Sequence, residues 1–173
     1  MPISLYEISV PGFLQILDGA AGFLERGAAH CRDAGIDPAE IVETSIVADM
    51  RPFRFQVQQL AYHSIGAIEA VMSGTLFLPG QRPAHDYAGL QALIDETREG
   101  LRQIAPGQID AREGTDMVFR VGDNERIFTA EGFLLSFSIP NFHFHATTAY
   151  GILRARGVPL GKLDYMGALR LKS

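Results

Sequence analysis

Five histidines are the side chains of this sequence best suited to hold a metal or move a proton near neutral pH, and two of them stand almost together. The stretch "SIPNFHFHATTAYGILRARGVPLG", residues 138–161, sets His143 and His145 in an apolar run that reads as a buried helix. Two residues on a regular helix are about 200° apart around its axis, so this pair does not converge on one small ion. Asn141 and His145, four apart, do share a face. An earlier stretch carries Gln56, Gln59 and His63 at i, i+3 and i+7, a polar stripe beside an apolar face. If that stripe faced the inside of a helical bundle, His63 and His145 would meet across it, with Asn141 as a further donor.

Two kinds of chemistry follow. A catalytic zinc or related ion takes about three protein donors and keeps one position open for a water or thiol whose pKa it lowers. His63, His145 and Asn141 are a weak version of that set, because a neutral amide oxygen is a poor transition-metal ligand beside imidazole. The other chemistry is recognition of a small molecule in an inter-helix cavity, with Gln56, Gln59, Tyr62 and Asn141 as hydrogen-bond partners. Plainer roles exist for each residue. A histidine in an apolar helix is usually a hydrogen-bonded, partly buried ring, as is expected of His145. His63 is expected on a solvated helix face. His143 is expected to pack or to face a partner, pointing away from the bundle while His145 points in. His30 and His85, at a helix end and in a loop, are expected in solvent.

Other chemistries lack their residues. There is no G-x-S-x-G nucleophile turn and no glycine-rich phosphate loop. The single cysteine, Cys31, can build neither a disulfide framework nor a Cys-rich zinc site, which fits a reducing compartment. Asp95, Glu96 and Glu99 fall on the polar side of a helix. A net charge of −5 disfavours nucleic acid, and no apolar run approaches the ~18 residues of a membrane span. No basic-then-apolar leader opens the chain. A cytoplasmic protein is expected.

The elements that must position these side chains are mostly helical. Val10, Phe13, Leu14, Leu17, Ala21, Leu24 and Ala28 give a first amphipathic helix, with Pro11 in its first turn and Gly35 as its C-terminal cap. A second helix is expected from Pro52 to Gly74, capped by Asp49. A loop over 78–86 leads to a third, capped by Asp86, with Leu90, Leu93, Ile94, Thr97, Leu101 and Ile104 on one side. Alternation around a "GDN" turn predicts a hairpin, strands 116–121 and 125–129. A fourth helix follows, its apolar face drawn through Phe144, Thr148, Ile152 and Leu153. Pro140 either kinks it or marks its start. With 173 residues, the expectation is one all-α domain over 1–173: an up-down four-helix bundle with a short β-hairpin before the last helix.

The stretches "DMRPFRFQVQ" and "PNFHFHATTAYGILRARGVPLGKLDYMG", with the hairpin between them, resemble the DinB/YfiT-like superfamily of bacterial bundles, in a branch known only as a domain of unknown function. The resemblance covers essentially the whole chain. It implies a divalent metal, zinc or nickel, bound by one histidine of helix two and two of helix four, and in some members thiol-linked transfer or hydrolysis. The later helix-four histidine falls on His145, and the earlier on Asn141. The helix-two histidine falls near Gln59, Tyr62 or His63. A glutamine that often follows falls on Thr148. Related bundles often pair, so a homodimer is expected, with Phe142 and His143 toward the partner. The expected function is therefore a small-ligand-binding or structural dimer with a degenerate metal site, and the alternative a metal-dependent transferase or hydrolase.

Overall fold

The computed structural model describes residues 3–78, 80 and 83–172. The chain opens with α1 (Leu5–Ala34) and a short α2 (Pro38–Val42), then makes its second helical pass as α3 (Phe53–His63) and α4 (Ile65–Ser73). Strand β1 (Thr75–Phe77) leads to α5 (Tyr87–Arg102) and a short α6 (Pro106–Asp110). The hairpin is β2 (Asp116–Val121) and β3 (Asn124–Thr129). The last pass runs through α7 (Ala130–Phe133), a π-helical turn (Leu134–Ser138) and α8 (Ile139–Ala155), and α9 (Lys162–Met166) closes the chain. Four helical passes form the expected up-down bundle. Its core includes the fully buried Phe13, Phe23, Phe53, Phe133 and Phe142. Several punctuation marks act as read. Gly35 and Gly74 cap helix ends with positive φ, and Asp86 accepts from the Gly89 N–H at 2.7 Å. Positions 79, 81 and 82 of the expected loop lie outside the described residues.

Other features differ from the sequence reading. The second helix is broken at Ser64 (φ −115°, ψ −90°) instead of running through to Gly74. Pro11 sits well inside α1, which begins at Leu5. The carbonyl that its missing N–H would have bonded belongs to the exposed Glu7, where water can satisfy it. Asp49 does not cap the second pass. The Phe53 N–H is taken instead by the Thr44 carbonyl at 2.8 Å. A third strand, β1, runs parallel to β2 with Thr75 opposite Val118 and Phe77 opposite Arg120, so the hairpin is part of a three-stranded sheet.

The last pass holds the most informative correction. Phe142, expected toward a partner, is fully buried and meets Phe13 edge-on at 4.8 Å between ring centres. Phe144, expected in the core, is 56% exposed. Steps of four residues precess by about 40° around a helix, so a face drawn through 144, 148 and 152 rotates off the core at its early end. The true stripe runs through Phe142, Ala146, Ala149 and Leu153, all buried. Just before it, the Ile139 N–H reaches back five residues to the Leu134 carbonyl. Pro140 then lies in the first turn of α8, and the carbonyls its missing N–H would have reached belong to the exposed Leu135 and Ser136.

Candidate functional site

The passes of α3 and α8 carry most of the buried polar side chains: Gln56, His63, Ser64, Ser138, His145 and Thr148 there, with Gln58 turned instead toward Pro83 and His85. An irregular backbone supports them. The break at Ser64 interrupts the helix just after His63, and the Ser138 hydroxyl at the end of the π turn donates to the His63 carbonyl at 2.8 Å. Two local departures from α-helix, one in each pass, are thus joined by a hydrogen bond beside the candidate residues.

His145 points into the bundle and is 8% exposed. The Gln56 amide N–H donates to the Arg51 carbonyl at 2.8 Å, which turns Oε1 of Gln56 toward the His145 ring. An amide oxygen only accepts, so at 2.7 Å Nδ1 of His145 carries the proton and donates. The His63 ring lies nearly parallel to that of His145, 12° between planes and 5.7 Å between centres. His63 is only 3% exposed, so the solvated face expected for it is wrong: α8 covers the polar stripe. Tyr62 and Phe137 meet the His63 ring edge-on. His143 faces outward, its Nδ1 3.0 Å from the Tyr165 hydroxyl. His30 and His85 are half-buried and not in open solvent, and Nδ1 of His85 stands 3.0 Å from the Gln58 amide nitrogen.

Outside this pair lies an open cleft of about 690 Å³ along α3. Gln59, Tyr62, His63 and Asn141 line it, as do Arg51, Arg54, Phe55, Phe119 and Phe137. The Tyr62 hydroxyl donates to the Phe77 carbonyl at 2.8 Å, tying one wall to β1. Of the expected ligand-binding set, Gln59 and Tyr62 reach the cleft, whereas Gln56 lies beneath it and orients His145. Sequence reasoning missed Arg51, Phe55 and Phe137. For Phe55 a signal existed, since it stands four residues before Gln59 on the same face. Phe119 comes from the hairpin and carried no signal.

The metal implied by the resemblance meets a short donor set. Among the described residues no three histidine, cysteine, aspartate or glutamate side chains come together as a metal site needs. Asn141, the expected third donor, gives its amide N–H to the Phe137 carbonyl at 2.7 Å. Two imidazoles and that amide do not complete a protein-held zinc or nickel centre.

Residues 5–166 match the family described as Domain of unknown function (DUF1993). The chain belongs to this family. The fold of this DUF1993 chain is similar to that of a DinB family member protein from Shewanella denitrificans, with TM-score 0.83 and 25% identity, over 98% of this chain and 95% of that one. It is therefore a DinB-like bundle carrying a domain of unknown function. No curated protein matches the chain. No described helix of this DUF1993 chain is long and apolar enough to cross a membrane.

Proposed function

We propose that this DUF1993 domain is a small-ligand-binding module whose site is the cleft along α3. One observation carries the reading: a cleft of about 690 Å³ in which polar groups from Gln59, Tyr62 and Asn141 stand among the aromatic walls Phe55, Phe119 and Phe137. Its size and its mixture of apolar surface with a few placed polar groups are those of small-molecule sites. The Gln56–His145 pair beneath it fixes one wall. The same reading takes the domain as a homodimer. Phe144 and Leu135, exposed at 56% and 55%, are apolar side chains that the last helical pass offers for pairing, and light scattering at micromolar concentration tests it.

The test of binding is a thermal-shift screen of small metabolites on the wild type and on Gln59→Trp, which places a bulky indole on the cleft-lining face of α3. A ligand at a hundred times its Kd adds about 2.7 kcal/mol of stability. The expected result is a stabilising compound whose effect disappears in the variant while far-UV circular dichroism stays unchanged. No stabilising compound, or equal stabilisation of both proteins, overturns the reading. Elemental analysis of protein purified without chelator runs beside it. Zinc or nickel near one equivalent, lost in His145→Ala, would replace this reading with the metal-dependent one.

A further inference from the structure

We infer that the cleft takes a planar hydrophobic acid, a flat body of about two fused rings carrying one carboxylate-type group. This rests on the binding reading above and adds the ligand's charge and shape.

The charge comes from the lining. Arg51 and Arg54 line the cleft, and no aspartate or glutamate is among the described residues that do. Arg54 is already paired with Glu43 at 3.1 Å. Among the described residues Arg51 forms no ion pair, and its guanidinium stands over the Phe55 ring, 5.6 Å from the ring centre. A guanidinium stacked by its face still presents its N–H edge, and that fork matches a carboxylate with two parallel hydrogen bonds. The chain as a whole is acidic, with net charge −5. An anion held here is therefore held by local contact and not by the long-range field of the molecule.

The shape comes from the other end. Of the α3 side chains that line the cleft, Phe55, Gln59, Tyr62 and His63 follow one helix face, with Arg54 and Gln58 beside it. From Phe55 to His63 this face runs roughly 12 Å along the axis, at 1.5 Å per residue. The inner end is aromatic. Phe119 and Phe137 lie 5.0 Å apart between ring centres, and Phe137 lies 5.5 Å from His63. Walls of that kind favour a flat ring that can stack offset or edge-on. The acid group then sits at Arg51 and the rings reach toward Phe137.

The experiment is an NMR titration of the whole protein with three probes of one shape: naphthalene carboxylate, naphthalene carboxamide and naphthylmethylammonium. The expected result is that the carboxylate moves the backbone amide signals of Phe55, Gln59 and Tyr62 and binds at least tenfold tighter than the carboxamide, with the ammonium weakest. Arg51→Gln is expected to lower carboxylate affinity to that of the carboxamide and to leave carboxamide affinity unchanged. Arg51 is exposed, and its carbonyl bond to Gln56 survives the substitution, so an unchanged spectrum away from the cleft is expected. Equal or tighter binding of the carboxamide or ammonium overturns the inference and leaves the binding reading standing. A carboxylate preference that persists in Arg51→Gln overturns the role given to Arg51. If none of the three moves a cleft signal, the planar-acid inference falls, and the Gln59→Trp screen decides the binding reading separately.

Discussion

The α1–α5 seam and the α3–α8 seam are built on opposite plans. Where α1 meets α5, the two helices are continuous and the close fit is steric: the Tyr87 hydroxyl enters above Gly27 and donates to the Leu24 carbonyl at 2.9 Å. Burial pushes that phenol well above its ordinary pKa, so it stays a neutral donor. The buried polar groups there, Ser9 and Thr97, bond only to carbonyls of their own helix. Between α3 and α8 both passes are interrupted, and although Ser64 and Thr148 still bond to carbonyls of their own helix, Gln56, His145 and Ser138 bond across the seam. A fold built only for stability has no use for the second plan, because each buried polar group there must find a partner or cost about 1–3 kcal/mol. π turns recur at functional sites for the same reason: they re-aim side chains at the expense of regular packing.

The largest expected effect lies in the regular seam. A Cβ on Gly27 would stand 2.1 Å from the Tyr87 hydroxyl oxygen, so Gly27→Ala must displace that ring. Overpacking of about 1–3 kcal/mol and a lost buried hydrogen bond together give a destabilisation of about 3 kcal/mol. For a chain of this size the melting temperature should fall on the order of 10 °C by calorimetry. Adding Tyr87→Phe, which removes the clashing oxygen, should recover much of the loss. A neutral Gly27→Ala would show that this seam is not steric and would break the comparison.

Next comes the polar seam. Gln56→Leu removes both the acceptor for Nδ1–H of His145 and the donor to the Arg51 carbonyl, and should cost about 2 kcal/mol by urea unfolding. Nitrogen NMR of the His145 ring should show the proton on Nδ1 in the wild type and a mixture of tautomers in Gln56→Leu. An unlocked tautomer in the wild type would mean that Gln56 is packing only. Ser138→Ala should cost less, about 1–2 kcal/mol, because one carbonyl loses one partner. Its signature is faster hydrogen exchange in the first turn of α4 and unchanged exchange in α5.

The contrast also explains what the sequence could show. Marks that act within a few residues were legible: the caps at Gly35, Gly74 and Asp86, the hairpin, and the inward side of His145 from its angle to His143. Strand β1 was not, because three residues hold no pattern until they pair with β2 more than forty positions later. The breaks at Ser64 and at the π turn were hidden because the bond that ties them together, Ser138 to the His63 carbonyl, spans 75 positions of sequence. His63 was misread for a related reason. A polar stripe looks the same whether water or a second polar stripe faces it, and only the packing of α8 decides between them. The cleft was half legible: Gln59, His63 and Asn141 follow from helical spacing, whereas Arg51 and the Phe119 wall depend on where the chain folds back.

The smallest expected effect sits on the outer side of α8, at His143. Solvent reaches part of this ring, but the surrounding side chains desolvate it enough to lower its pKa below the ordinary 6.5. The neutral ring holds α9 through Tyr165 at 3.0 Å. Because the folded pKa is the lower one, the unfolded chain takes up this proton first as the pH falls. The contribution to stability is therefore fully present above the unfolded value and is lost as the pH falls from there through the folded value. A full one-proton difference would tilt stability by about 1.4 kcal/mol per pH unit, and partial exposure keeps the slope well below that ceiling. The measurement is urea unfolding across mildly acidic pH, comparing the wild type with His143→Gln. The variant should lack that portion of the acid slope and keep the rest. Tyr165→Phe should retain the slope, since desolvation and not the hydroxyl lowers the pKa. Equal slopes in the wild type and His143→Gln would mean that this ring titrates alike in both states, and that the α8–α9 contact does not depend on its charge.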